Sequence, residues 1–319
     1  MNGDSTRQVA VIGGDARAAA EATSLLDQGA AVTVVAAEVT AAIQDLADRG
    51  LLTWLKADVA LNPGRQGGEG AREGDSDHHV TCGQVTLVGG GPGDPGLLTV
   101  AGREALEAAD VVVTDRLAPL ASLATLQPEV EIIDVSKIPG GRTTPQEEID
   151  RLLVDHAQAG RRVVRLKGGD PYVFGRGGEE VAACEAAGVP VTVIPGVTSA
   201  IAAAAAAGIP VTHRGVTQGF TVISGHVPPD HPDSTLDYAA LARSGTTLVV
   251  LMGVRTLGAI CAALVDGGLD ADTPAAVVAD ATRPSQHVVR GTVATIDQAA
   301  QGVRPPAVAV IGAVAGERS

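Results

Sequence analysis

The chain has 319 residues, enough for two or three domains, and at 45% hydrophobic and 19% charged it has the composition of a packed globular protein, which excludes global disorder. Its formal net charge of -14 and pI near 4.8 exclude a nucleic-acid surface or a patch for anionic membranes, since both need a basic face. Aromatic residues make up only 2%, so Ala, Val and Leu have to fill the core.

Residues 9–12 form a short apolar strand, Gly13-Gly14 a turn, and residues 16–28 have helical composition. Gly29 stops that helix, and residues 31–35 make a second strand, giving a βαβ start in the manner of a dinucleotide fold. The pattern ends near Val59. Residues 62–77 are rich in Gly, Glu, Arg and Asp with almost nothing apolar, so no core is expected there.

From Gln84 strands and helices alternate. Strands are expected at 85–88, 111–113, 131–134, 162–166 and 191–194, and helices at 97–108, 145–159, 178–187 and 198–206. Thr144 caps the second of these helices with Pro145 in its first turn, and Gly160 and Gly188 are helix stops. Such alternation implies a sheet of substantial parallel character, covered on both faces. A second unit begins near Thr217, with strands at 221–224, 247–251, 275–279, 287–291 and 307–311 and a long helix at 254–266. The loop 225–234, with three prolines and two histidines, reads as a flap. The organisation is therefore α/β: a vestigial dinucleotide-fold-like segment (1–60), a flexible linker (61–83), and two consecutive α/β domains (84–214 and 215–316).

Cys82, Cys184 and Cys261 are odd in number and far apart, and no CxxC pair is present, so neither a disulfide framework nor a thiolate metal site is expected. His78-His79 with Cys82 lie in the polar linker and are not taken as a metal site. No basic stretch followed by an apolar core marks a secretory signal. The apolar run 189–211 is broken by Pro195, Gly196 and Gly208 and is not a membrane span.

Two glycine-rich turns carry the chemistry. The first, Gly89-Gly90-Gly91-Pro92-Gly93, follows a strand but lacks the Gly-Lys-Ser/Thr of a P-loop, and Pro92 and Pro95 spoil it as a Rossmann fingerprint. The second is Leu166-Lys167-Gly168-Gly169-Asp170-Pro171-Tyr172-Val173-Phe174-Gly175-Arg176-Gly177-Gly178-Glu179-Glu180. Glycines at a strand end let a ligand approach the backbone. Asp170 argues against a phosphate there and for a hydroxyl- or amine-bearing ligand. Asp115 ends a strand, where open α/β sheets place functional groups; the alternative is a helix cap.

These motifs, with Ala109-Asp110-Val111-Val112-Val113-Thr114-Asp115-Arg116-Leu117, Pro195-Gly196-Val197-Thr198-Ser199-Ala200, Gly208-Ile209-Pro210-Val211-Thr212-His213-Arg214 and Met252-Gly253-Val254, stand in the order found in one family. From about Gln84 to its end the chain resembles the S-adenosylmethionine-dependent tetrapyrrole methylases, and among them those that act on uroporphyrinogen III. The resemblance implies the family's fold of two consecutive α/β domains. It also implies two successive methyl transfers from S-adenosylmethionine to uroporphyrinogen III, giving precorrin-2 for siroheme or cobalamin biosynthesis, by a cytoplasmic homodimer without metal, nucleic acid or membrane partner. Carried over by position, Asp115 matches the proton acceptor and Lys137 the proton donor, although Ser136 replaces the usual glycine before the lysine. Pro92, Gly168, Gly169, Asp170, Val173, Thr198, Ser199, Met252 and Ala281 match cofactor contacts, with Ala281 replacing a glycine. A polycarboxylate substrate needs local basic groups in this acidic chain; Arg116, Lys137, Arg142, Lys167, Arg176 and Arg214 lie in or beside these motifs, and Arg116, Arg142, Arg176 and Arg214 are the candidate substrate contacts. Other readings are a methylase of a later precorrin, a bifunctional siroheme-synthase-type oxidoreductase–methylase, and a non-catalytic tetrapyrrole carrier.

The N-terminal start resembles the first half of the dehydrogenase domain that bifunctional siroheme synthases carry. Asp15 stands where that domain has its third glycine, which sets a carboxylate against a cofactor pyrophosphate. NAD binding is therefore not expected.

Overall fold

The computed structural model describes residues 7–56, 83–136 and 144–316. The expected linker, Lys137 and Arg142 lie outside the described residues. Two compact units are present: residues 1–89 with 99–196, and residues 90–98 with 197–319.

The first unit opens with β1 (Gln8–Ile12), α1 (Ala16–Asp27), β2 (Ala31–Ala36), α2 (Ala41–Asp48) and β3 (Thr53–Lys56). These strands form a parallel sheet of order β1-β2-β3, so α2 and β3 extend the βαβ start by one more crossover. Asp15 caps α1, its carboxylate accepting the Ala18 N–H at 2.8 Å. The unit continues with β4 (Gln84–Gly89), α3 (Val100–Glu107), β5 (Val111–Thr114), β6 (Glu131–Asp134), α4 (Gln146–Gln158), β7 (Arg162–Lys167), α5 (Gly177–Ala186) and β8 (Val191–Ile194). This second sheet is wholly parallel, in the order β6-β5-β7-β4-β8.

Apolar β-branched runs become central parallel strands because both of their faces can be covered. All four residues of β5 are buried. Val85, Leu87, Val111, Val113 and Val163 meet Ile149, Leu153 and Ala157 of α4 and Cys184 of α5 in one core. Gly160 and Gly188 follow α4 and α5 in the left-handed conformation that ends helices. Thr144 does not cap α4: the capping position is Pro145, which makes no side-chain bond, and Glu147 and Glu148 complement the helix start instead.

The second unit contains α6 (Ser199–Ala206), β9 (Phe220–Ser224), α7 (Tyr238–Ala242), β10 (Thr247–Leu251), α8 (Leu257–Asp266), β11 (Pro274–Ala279), β12 (His287–Thr292), α9 (Ile296–Ala299) and β13 (Ala307–Ile311). Its sheet has the order β12-β11-β13-β10-β9. Only β9 and β10 pair in parallel; the other three pairings are antiparallel. The expected parallel character thus holds for the β4–β8 sheet of the first unit, while this sheet is mixed. A turn, not a helix, joins β11 to β12, and β13 inserts against the direction of β10 and β11. The alanine-rich α6 packs on this second sheet, where Ala204 and Ile209 meet Ala276 and Val310.

Three backbones converge at the C-terminal ends of β4, β7 and β8. A Cβ on Gly89 would lie 2.8 Å from the Gly169 carbonyl oxygen and would overlap the backbone of Gly196, and one on Gly196 would overlap Gly169 in turn. Gly196→Ala is expected to lower stability by about 1–3 kcal/mol through overpacking. Gly178→Ala, on α5 with nothing within 4 Å of the added methyl, should instead raise it by about 0.4–1 kcal/mol. Urea unfolding of the two variants checks this, and equal midpoints would contradict it.

Candidate functional site

Alternate residues of a strand share a face, so Arg165 and Lys167 both point from β7 toward α5. Burying two cations requires an anion, and Glu180 of α5 supplies it. Glu180 Oε1 accepts from Arg165 Nε at 3.0 Å, and both of its oxygens accept from Lys167 Nζ at 2.9 Å. Glu180 is 0% exposed. Arg165 Nη1 donates to the Leu166 carbonyl at 3.0 Å. Its remaining arm, Nη2, reaches Asp115 Oδ2 at 3.1 Å.

Asp115 follows β5 directly. Its Oδ1 accepts the Leu117 N–H at 3.0 Å, which shapes the turn. Its side chain is 26% exposed against 4% for Arg165, so it is the solvent-facing end of a buried charged ladder. Burial works against the Arg165 charge, but the Asp115 and Glu180 carboxylates outweigh it and push the Arg165 pKa up. Burial, reinforced by the Arg165 charge, holds Lys167 below the usual lysine range despite the pull of Glu180. On the neighbouring strand, burial raises Asp134, opposed by its hydrogen bonds to Ser136, and the Asp115 charge adds to the rise.

The turn after β7 is held by its own backbone. Gly168 lies so close to the Leu117 carbonyl that a Cβ would sit 2.5 Å from it, and Gly169 has a φ of 66°. Asp170 does not present a free carboxylate: Oδ1 accepts from Tyr172 N at 2.9 Å and Oδ2 from Gly196 N at 3.0 Å. It ties the β7 turn to the end of β8, with lone pairs remaining for a ligand. Val173 N donates back to the Asp170 carbonyl at 3.3 Å. Tyr172 and Phe174 are exposed on this turn, although aromatics are scarce in the chain.

Of the candidate substrate arginines in this unit, Arg116 lies 3.6 Å from Asp45 of α2, and Arg176 grips Glu179 with two bonds of 2.8 and 2.6 Å. Arg214, in the second unit, is exposed, and its carbonyl accepts from His213 Nδ1 at 2.9 Å.

In the second unit the loop 90–98 packs on the turn after β11. Asp94 N donates to Thr282 Oγ1 at 3.1 Å, and Gly93 abuts the Arg283 side chain. Pro92 and Ala281 belong to these two joined segments. Thr198 caps α6, accepting from Ala200 N at 3.3 Å, and Ser199 opens that helix. Met252 follows β10 and is 49% exposed, so it is not core filler. It has a φ of 58°, while Asp280 and Thr282 have φ values of 48° and 70°. Among the described residues, the non-glycine positions with positive φ are these three with Phe174 and Arg176. All follow the C-terminal ends of β7, β10 and β11, and backbone strain of this kind gathers at functional sites.

The sequence reading missed Arg165 and Glu180. Its one available signal was a charge inside a β-branched strand, followed by paired glutamates in the first turn of the next helix. No group of three or more metal-ligating side chains occurs among the described residues, and no helix there is long and apolar enough to cross a membrane.

The profile of the tetrapyrrole (corrin/porphyrin) methylases matches residues 84–297, and that of a putative NAD(P)-binding family matches residues 4–115. The chain is 48% identical over 234 residues to an S-adenosyl-L-methionine-dependent uroporphyrinogen III methyltransferase of Methanosarcina barkeri, covering 73% of this chain and 92% of that protein. It is 46% identical over 237 residues to a siroheme synthase of Zymomonas mobilis, covering 74% of this chain and 50% of that protein, so it spans about half the length of the siroheme synthases it matches. Among solved structures, uroporphyrin-III C-methyltransferase of Thermus thermophilus complexed with S-adenosyl homocysteine superposes with a TM-score of 0.61 at 42% identity, over 73% of this chain and 98% of that one.

Glu180→Gln leaves the buried Lys167 without an anion and Arg165 with Asp115 alone, and is expected to destabilise the fold by about 3–5 kcal/mol. Lys167→Met should cost less, because Arg165 still pairs with Glu180. Urea unfolding ranks the two variants, and a milder effect of Glu180→Gln would contradict the ladder.

Proposed function

The chain belongs to the tetrapyrrole methylase family, and from that membership we propose that it methylates carbon atoms of uroporphyrinogen III, twice in succession, to give precorrin-2. The observation that carries the proposal is Asp115: a partly exposed carboxylate at the end of a buried parallel strand, held by Arg165, within the region that matches the family.

S-adenosylmethionine, when bound, supplies an electrophilic methyl group on a sulfonium. The donor set suits such a ligand. The candidate contacts are hydroxyls (Thr198, Ser199), the exposed thioether of Met252, and backbone at Pro92, Gly168, Gly169, Asp170, Val173 and Ala281. Neither glycine loop is a phosphate cradle, and an amphipathic nucleoside without phosphate fits that chemistry. Asp170 acts chiefly by fixing the turn through Tyr172 and Gly196.

Methylation at a pyrrole carbon leaves a proton to be removed, and Asp115 accepts it. Arg165 and the Leu117 amide keep the carboxylate aimed. Lys137 is the proposed proton donor, and Arg116, Arg142, Arg176 and Arg214 are the proposed partners of the substrate carboxylates. Arg116 and Arg176 would exchange Asp45 and Glu179 for substrate; the Arg176 pair is half exposed and of modest strength, and the Arg116 pair is long at 3.6 Å. Positioning of the two reactants supplies most of the rate, with the base adding to it.

NAD binding is not part of this function. Asp15 sets a carboxylate at the start of α1, where it accepts the Ala18 N–H and would oppose a pyrophosphate. The protein is proposed to work in the cytoplasm as a homodimer. A later precorrin is the alternative substrate, because a cobalt-precorrin-4 methyltransferase shares the fold at 30% identity and a TM-score of 0.66.

Asp115→Asn keeps the side-chain shape and removes its basicity. Turnover of uroporphyrinogen III with S-adenosylmethionine should fall by about 10²–10⁴-fold, while cofactor affinity stays within a few-fold. The product mass of the unaltered enzyme should show two added methyl groups. Near-normal turnover in the variant would reduce Asp115 to a turn residue, and a product formed only from a later precorrin would favour the alternative.

A further inference from the structure

Residues 7–56 form a sheet of their own that shares no strand pairing with the β4–β8 sheet of the same unit. They are attached to β6 and to the connection from β5 to β6. Helix α1 packs on the 3-10 turn Leu120–Leu123 and on β6. Arg17 Nη2 lies within hydrogen-bond reach of three carbonyl oxygens there: Gln127 at 3.3 Å, Pro128 at 3.3 Å and Val130 at 3.1 Å. Asp45 of α2 meets Arg116 at the start of the same connection.

That connection needs support. It is long, among its residues only the 3-10 turn is regular structure, and its own backbone bonds are local turn bonds reaching two or three residues back. It nevertheless buries Leu120, Ala121, Leu123 and Leu126. It also runs from Asp115 to the strand that ends in Asp134, and a shift in it would move the Asp115 turn. One cationic nitrogen facing the carbonyls of Gln127, Pro128 and Val130 is a specific fastening, because it only donates and each oxygen only accepts.

We propose that residues 7–56 are an in-cis brace: a half dinucleotide fold that serves as a fused partner, holding the connection beside Asp115. The segment is thus vestigial as a cofactor site and not as a structural one. The proposal depends on the fastening and not on the identity of the methyl acceptor, so a readout without substrate decides it.

Hydrogen–deuterium exchange of the full-length chain is the test, with Arg17→Ala, Asp45→Asn and, as a control, Glu21→Ala on the exposed side of α1. Arg17→Ala should speed exchange of amides in 118–130 by about ten-fold, Asp45→Asn should loosen 116–118 to a smaller degree, and Glu21→Ala should change neither. Arg17→Lys, which keeps the charge on a shorter side chain with a different donor geometry, should fall between the wild type and Arg17→Ala. Wild-type exchange across 116–130 in Arg17→Ala, or acceleration confined to 7–56, would overturn the brace.

Discussion

The carboxylate of Glu180 is the fixed point of the first unit. Two cations on one face of a central strand cannot be taken out of water without an anion, and Glu180 meets both while fully buried. That pairing fixes how α5 lies on β7. It also leaves Arg165 with one guanidinium nitrogen directed across to β5, and that nitrogen finds Asp115. The proposed base is therefore aimed by a residue whose own position is set from behind. Asp115 remains partly exposed while Arg165 and Glu180 beneath it are buried.

The backbone at the same sheet edge is constrained as tightly. Gly89, Gly169 and Gly196 meet with no room for side chains, and Asp170 stitches two of the three turns together. The second unit shows a parallel device, with left-handed residues after β10 and β11 and the 90–98 loop bonded to Thr282. Glycine in these loops thus serves close packing of the chain on itself, and the ligand-facing surface is what that packing leaves exposed.

Much of this was legible in the sequence, for physical reasons. Glu131–Asp134, Val191–Ile194, Thr247–Leu251 and Ala307–Ile311 are strands as read, because β-branched runs bounded by turn residues leave little alternative. Asp115 was visible as a carboxylate ending such a run. The Glu180 ladder was not, since a charge inside a strand signals burial only once its partner is known. The two backbone bonds of Asp170 were equally hidden, and they change its meaning from a free ligand contact to a tie between turns. β12 and β13 were read as strands, but not their direction, because alternation with helical segments does not encode it. Asp15 was read as a charge against pyrophosphate; the structure adds that it caps α1.

Family membership is carried by the profile match over 84–297 and by relatives that share nearly half of the aligned residues. What the structure adds is a chain of dependence from Glu180 through Arg165 to Asp115. A double-mutant cycle in kcat/KM with uroporphyrinogen III, using Asp115→Asn, Arg165→Lys and the double variant, tests that dependence most directly. If Arg165 acts by aiming Asp115, its substitution should slow the wild type and add almost nothing once Asp115 is Asn. Losses that multiply in the double variant would show two independent roles and contradict the account.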